Sequence, residues 1–333
     1  MVTSVVLKKR FEDIDLLKGL AIILMSFVHV NSLLFLHPFG LLDDVTYLGS
    51  TVCFVIFLFA FSFLQGKKLL GGKIDSWKKI LKKILLLYLS YFVLGILSLL
   101  LHEGTITLSK ILDVALLNHL PLYTEFLVLF IWFTIFFKIF SGTIQKLLKY
   151  PWVMFLISLI IYALGVWIYS LNVENEILLW IKMHLAGNMD IHVFSVFQYM
   201  PIYALGLIMA KYENQKKYLA LALISLCIII VLSVFNLSVW LRWPPSILYL
   251  TEGAFFIFSS LYVLGYLEKI KALNFIKLFG GDSLRSLVVV TSLSFLATWI
   301  LFPSGNPYIV LSINAGVLVL SYCALRILKR SKV

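Results

Sequence analysis

Asp15, Lys18 and His29 stand inside an otherwise apolar run, where ionisable groups are costly and normally face a bundle interior or a functional pathway. At about 100° per residue, the eleven steps from Lys18 to His29 leave a net rotation of ~20°, and Asp15 lies ~60° from Lys18. The three residues therefore share one helical face. At about 1.5 Å per residue, the same eleven steps span ~16 Å. A helix entering from the cytoplasm would carry Lys18 near its inner mouth and His29 past the midplane. A buried imidazole at that depth is a candidate general base or nucleophile. The plainer reading is that Lys18 snorkels to the headgroups and Asp15 caps the helix.

A second acid stands in Asn118-His119-Leu120-Pro121-Leu122-Tyr123-Thr124-Glu125. A helix descending from the outer surface would place Glu125 roughly 10 Å deep, close to the level of His29. There a carboxylate can orient an imidazole and support its protonated form. Tyr123 beside it, and Glu252 at a comparable level of a later run, are candidates for substrate contact. Interhelical hydrogen bonding alone is the structural alternative for both glutamates.

The most basic segment, Lys67 to Lys83, ends in Trp77-Lys78-Lys79-Ile80-Leu81-Lys82-Lys83. Lys79 and Lys82 are three residues apart and share a face. Lys78, Lys79, Lys82 and Lys83 could hold anionic lipid headgroups, or equally the phosphates of a nucleotide-bearing donor. The stretch 172–192 carries Glu174, Glu176, Lys182, His184, Asp190 and His192 without close ligand pairing, so no metal is expected. It reads as an acceptor-contacting loop or solvated surface. No P-loop, dinucleotide glycine turn, HExxH helix or Gly-x-Ser-x-Gly elbow is found.

The elements that must position these groups follow from composition. Of 333 residues, 62% are hydrophobic and 13% charged, against the ~45–50% apolar content of a soluble domain. A soluble enzyme, a collagen-like fibre, a disordered chain and a disulfide scaffold are excluded. Cys53, Cys227 and Cys323 lack pairing spacing and read as small hydrophobes. Runs long enough to cross a bilayer, about 20 residues each, fall at 14–36, 45–65, 84–102, 117–137, 151–171, 193–210, 218–236, 246–266, 284–302 and 308–328. The expected fold is an all-α polytopic membrane protein of about ten transmembrane helices, a single domain over 1–333 with no fused soluble domain. Asp15 and Lys18 in the first run argue against a cleavable signal.

The net charge of +12 has to be read by position. With a cytoplasmic amino terminus, inner segments hold 24 of the 28 basic residues. These are Lys8, Lys9 and Arg10; the seven lysines from Lys67 to Lys83; Lys138, Lys146 and Lys149; Lys211, Lys216 and Lys217; Lys269, Lys271, Lys277 and Arg285; and Arg326, Lys329, Arg330 and Lys332. Lys110, Lys182 and Arg242 fall outside. This asymmetry predicts both termini in the cytoplasm, with membrane lipids rather than nucleic acid as the partner of the positive charge.

The segment from Arg10-Phe11-Glu12-Asp13-Ile14-Asp15-Leu16-Leu17-Lys18-Gly19 to His29 resembles the opening of the integral-membrane acyltransferase-3 family, which modifies cell-surface polysaccharides and related glycans. Lys18 and His29 match its basic residue, ten intervening residues and histidine. Lys79 and Lys82 are similar to its Arg-x-x-Arg donor-side motif, with lysine twice. Glu125 resembles its fourth-helix glutamate, although the usual Trp-Ser-Leu reads Leu120-Pro121-Leu122. Leu278-Phe279-Gly280-Gly281-Asp282-Ser283-Leu284 resembles its late Leu-Gly-x-x-Ser-Leu segment. Two positions depart from the pattern: Phe61-Ser62-Phe63 replaces an aromatic-flanked Ser-Gly, and Val290 replaces a frequent late histidine. The Leu-Pro-Leu-Tyr stretch also resembles glucan succinyltransferases, and the opening resembles the heparan-glucosaminide acetyltransferase type.

The resemblance implies transfer of an acyl group, acetyl foremost, from cytoplasmic acyl-CoA to a hydroxyl of an extracytoplasmic or lipid-linked glycan at the plasma membrane. It implies His29 as base or acyl carrier, Glu125 orienting it, Lys18 and Asp15 at the donor entrance, and Lys78, Lys79, Lys82 and Lys83 on the CoA phosphates. No metal is implied. The rival expectation is a proton-coupled transporter or flippase for a lipid-linked saccharide, with Asp15, Lys18, His29, Glu125 and Glu252 as a relay. A non-catalytic assembly protein would not need these buried charges.

Overall fold

The computed structural model describes residues 11–34, 40–104, 106–121, 123–189, 193–237, 239–267, 270, 273–301, 303–304 and 306–330. Lys8, Lys9, Arg10, Leu122, Asp190, His192, Lys269, Lys271 and Lys332 lie outside them. The protein is an all-α polytopic membrane protein. Among the described residues there are nine helices long and apolar enough to cross a bilayer. They are α1 (Glu12–Leu34), α2 (Gly40–Leu70), α3 (Trp77–Ser98), α5 (Glu125–Leu147), α6 (Pro151–Tyr169), α9 (Gln215–Val234), α10 (Ile247–Leu267), α12 (Ser283–Ile300) and α13 (Pro307–Arg330). Four shorter helices join them: α4 (Leu108–Ala115), α7 (Glu176–Ala186), α8 (Met200–Lys211) and α11 (Asn274–Gly281).

Two of the ten expected spans differ from the observed elements. The run 193–210 is helical only from Met200, and its 12 residues rise ~18 Å, short of the ~30 Å hydrocarbon core. Its first half is irregular backbone, which membranes tolerate only where it is buried in protein. Val193, Phe194, Ser195 and Val196 are buried accordingly. Their polar groups are met by the end of α7: Val196 N and Phe197 N donate to His184 O and Leu185 O at 3.2 and 2.8 Å, and Gln198 Nε2 donates to Ala186 O at 2.5 Å. These bonds occupy carbonyls that a helix end leaves without intrahelical partners.

The run 117–137 likewise becomes helical only at Glu125. The preceding turn is held by Tyr91, whose hydroxyl reaches Val114 O and His119 O at 3.1 and 2.8 Å, and by Thr124 Oγ1 donating to Pro121 O at 2.7 Å. An apolar run reports that a segment is dry, and does not distinguish helix from buried loop.

Helices α1 and α2 form the centre, with 67% and 72% of their most apolar windows buried, against 17% for α6 and α9. The outer pair expose Trp152, Leu156, Ile160 and Trp167, and Leu223, Ile224, Ile230 and Val231, apolar faces suited to lipid. Small residues permit the tightest crossings. A Cβ on Gly206 of α8 would stand 1.9 Å from Ser62 Oγ and 2.5 Å from Phe59 O of α2, and one on Gly66 would stand 2.6 Å from Ala210. This close crossing locks the short helix to the core.

The segments expected inside meet at one face. Ion pairs join Lys67 to Glu213 and Lys277 to Glu12, Lys68 to Asp75 at 2.7 Å, and Lys211 Nζ donates to Leu148 O at 3.0 Å. The Lys68 ammonium holds the Asp75 carboxyl below the usual carboxylate range. At the opposite face Ser304 N donates to Leu34 O at 2.7 Å, so α13 starts beside the end of α1 and runs back antiparallel to it. Asn314 Nδ2 donates to Asn31 Oδ1 at 3.0 Å along the way. Both ends of the described chain consequently lie at the lysine-rich face.

Candidate active site

The stripe on α1 faces the bundle interior: Asp15, Lys18 and His29 are all buried. Lys18 Nζ pairs with Asp15 Oδ1 at 2.9 Å, one turn apart. Their backbone is seated on α11 without a gap. A Cβ on Gly280 would stand 1.7 Å from Asp15 O, and one on Gly19 would stand 2.1 Å from Ile276 O. The glycine of the late Leu278 to Leu284 segment is thus the surface on which the opening segment rests.

His29 lies five residues from the end of α1 at the opposite face and is only 3% exposed. Tyr123 covers it with ring centroids 4.2 Å apart, and Phe295 of α12 stands beyond at 6.3 Å. Nδ1 of the imidazole is buried with no protein partner among the described residues. Tyr123 adopts φ 66°, the left-handed region, which a bulky residue occupies only when its surroundings impose it. The Tyr123 hydroxyl faces Ser32 of α1.

Glu125 is the first residue of α5, rather than a residue within a helix that starts at 117. Backbone N–H groups of Tyr123, Thr124 and Glu125 turn toward its carboxylate, as at other helix N-termini. Its Oε2 is buried without a protein partner among the described residues. Glu125 and His29 form no ion pair within 4.0 Å among the described residues. The ring of Tyr123 packs on the imidazole instead, so the carboxylate holds the turn that delivers this ring.

Glu252 belongs to an outer cluster. It accepts from Tyr47 OH at 3.0 Å, and the Tyr47 ring lies 5.3 Å from that of Trp240. His184 sits between Trp132 and Trp180, with ring centroids 5.7 and 4.6 Å away. Burial pushes its pKa down to about 4. Among the described residues no cluster of three His, Cys, Asp or Glu side chains could hold a metal ion.

At the lysine-rich face the four candidate lysines separate. Lys78, Lys79 and Lys82 are exposed. Lys83 turns inward, 4.1 Å above the Phe61 ring, and lines a cavity of about 160 Å³ with Lys68, Lys73, Asp75 and Lys138.

A histidine is thus buried toward one face, and a cavity lined by four lysines lies at the other. A family model described as "Acyltransferase domain", of the acyltransferase-3 type, matches residues 11–328. The chain belongs to the acyltransferase-3 family. Among curated proteins no relative matches it. The match spans α1 through α13, so the membrane bundle is itself the acyltransferase domain.

Arg242 escaped the sequence reading, which counted it as an outer-loop charge. In the structure its guanidinium lies 4.8 Å from the Phe194 ring and 4.5 Å from the Trp243 ring. Phe194 in turn stacks on Phe54 of α2, with ring centroids 3.9 Å apart. The signal was present in Trp240-Leu241-Arg242-Trp243, an arginine among aromatics, since guanidinium groups stack readily on such rings.

Proposed function

We propose that this acyltransferase takes an acyl group, acetyl foremost, from acyl-CoA at its lysine-rich face and transfers it to a hydroxyl of an extracytoplasmic or lipid-linked glycan at the opposite face. The lysine-rich face is then cytoplasmic, in keeping with the distribution of lysine and arginine between loops, and the membrane is the plasma membrane. The observation that carries the reading is the enclosure of His29 within an acyltransferase-3 bundle.

Lys83, Lys68 and Lys138 around the inner cavity hold the donor phosphates, while exposed Lys78, Lys79 and Lys82 attract them. Lys18, fixed by Asp15, stands where the thioester arm enters. His29 removes the proton from the acceptor hydroxyl as its oxygen attacks the thioester carbon. The C–S bond then breaks, and the imidazolium returns the proton to the departing thiolate. Glu125 positions Tyr123, and through it the imidazole. Tyr123 and Glu252 provide acceptor contacts on the outer side.

The test is transfer of label from radiolabelled acetyl-CoA to cell-envelope glycan by purified protein in lipid nanodiscs. Wild-type protein should label the glycan, and folded His29→Ala protein should not. Wild-type activity in His29→Ala rejects the assignment of the base, and substrate uptake without labelling favours a transporter.

A further inference from the structure

Arg242 emerges from the loop between α9 and α10, yet it does not extend into solvent as an arginine at a membrane surface can. Its backbone is pinned where Tyr199 OH donates to Arg242 O at 2.9 Å, and its side chain lies on Phe194, itself buried. The Tyr249 hydroxyl lies within hydrogen-bonding reach of the guanidinium, but among the described residues its buried Nε has no protein partner and no carboxylate forms an ion pair with it. A guanidinium in this condition retains hydrogen-bonding capacity for an anion, and its planar fork is pre-organised to receive one.

The position of the charge indicates which anion. Phe194, on which the guanidinium lies, stacks on Phe54 of α2 with ring centroids 3.9 Å apart, and α2 crosses α1 beside the base, where a Cβ on Gly49 would stand 2.4 Å from Val28. The charge therefore sits on the α2 side of His29, within electrostatic reach of it and of Glu125. A cation beside an imidazole opposes proton uptake unless negative charge develops at the same moment. Attack on a thioester meets that condition: as the acceptor proton passes to His29, the carbonyl π electrons move onto oxygen. We infer that Arg242 is a catalytic residue of this enzyme, donating from its guanidinium to the oxyanion of the tetrahedral intermediate. When the intermediate collapses, the C=O bond re-forms, the C–S bond breaks, and the sulfur leaves with the proton from His29. Phe194 and Trp243 keep the guanidinium aimed and exclude water, which strengthens the interaction.

This role rests on the acyl-transfer reading, and the experiment separates the two. Acetyl-CoA turnover is followed by thiol release, in nanodiscs, with water alone and with glycan as acceptor. Both reactions pass through the same oxyanion, so Arg242→Gln should lower kcat for both by a similar factor, on the order of 100-fold, with KM for acetyl-CoA little changed. Arg242→Lys, which keeps the charge but loses the fork, should fall between and serves as the measurement if the glutamine variant does not fold. Loss of transfer with hydrolysis intact, or raised KM for glycan alone, would make Arg242 an anchor for an anionic acceptor and overturn the proposal. Equal turnover by wild type and variants also overturns it. A folded wild type that releases no thiol instead rejects the acyl-transfer reading beneath it.

Discussion

The contact most open to a quantitative test is Tyr123 on His29. Replacing Tyr123 by Ala removes the ring 4.2 Å from the imidazole and leaves, among the described residues, Phe295 at 6.3 Å as its aromatic neighbour. An aromatic pair contributes about 0.5–1.5 kcal/mol beyond burial, enough for the imidazole to populate other rotamers. Misplacement of a catalytic group by ~1 Å can cost ~100-fold in rate. Tyr123→Ala should therefore lower kcat for acetyl-CoA turnover by roughly 10- to 100-fold, and Tyr123→Phe, which keeps the ring, should stay within a few-fold.

The backbone supplies an internal control. At φ 66° any residue with a Cβ bears a penalty of about 1 kcal/mol that glycine escapes. Tyr123→Gly should thus be more stable than Tyr123→Ala by about that amount while being equally impaired in turnover. Thermal unfolding in nanodiscs reads the first quantity and thiol release the second. Wild-type turnover by Tyr123→Ala, or equal loss in Tyr123→Phe, would refute positioning by the ring.

Alanine at Lys83 and Lys68, which line the inner cavity, should raise KM for acetyl-CoA more than alanine at exposed Lys79 and Lys82. The second effect should fade as salt screens it; equal effects at high salt would contradict the division. Gly280→Ala places a Cβ 1.7 Å from Asp15 O, so α11 must withdraw by about 1.5 Å, and such overpacking costs about 1–3 kcal/mol. An unchanged melting temperature would count against the close seating of α1 on α11. His184, held near pKa 4 against 6.5 unfolded, binds its proton more readily in the unfolded chain. Its contribution is complete above pH 6.5 and declines as pH falls toward 4, by about 3 kcal/mol in all. His184→Gln should flatten that part of the stability profile, and an unchanged slope would refute the assignment.

Much of the fold was legible because the bilayer allows few solutions. Eight of the apolar runs coincide with helices to within a few residues at most ends, and the inner lysines gather at one face, because dry backbone must be hydrogen-bonded and charge must reach water. The run at 193–210 misled for the same reason: buried irregular backbone bonded to the end of α7 is as dry as a helix. Asp15, Lys18 and His29 were found together since a single helix fixes their common face through its own periodicity.

Residue types and spacing within single apolar runs were enough to determine an all-α membrane bundle, eight of its spanning helices, the α1 stripe and the family resemblance, since these depend on local periodicity and on the exclusion of water. Tertiary structure decided that Tyr123 rather than Glu125 covers the imidazole, that Lys83 enters the cavity while Lys79 and Lys82 stay outside, and that Arg242 turns inward. Those outcomes depend on where side chains from distant segments meet, and contacts between α1, α5, α12 and the loop before α10 have no period in the chain to announce them.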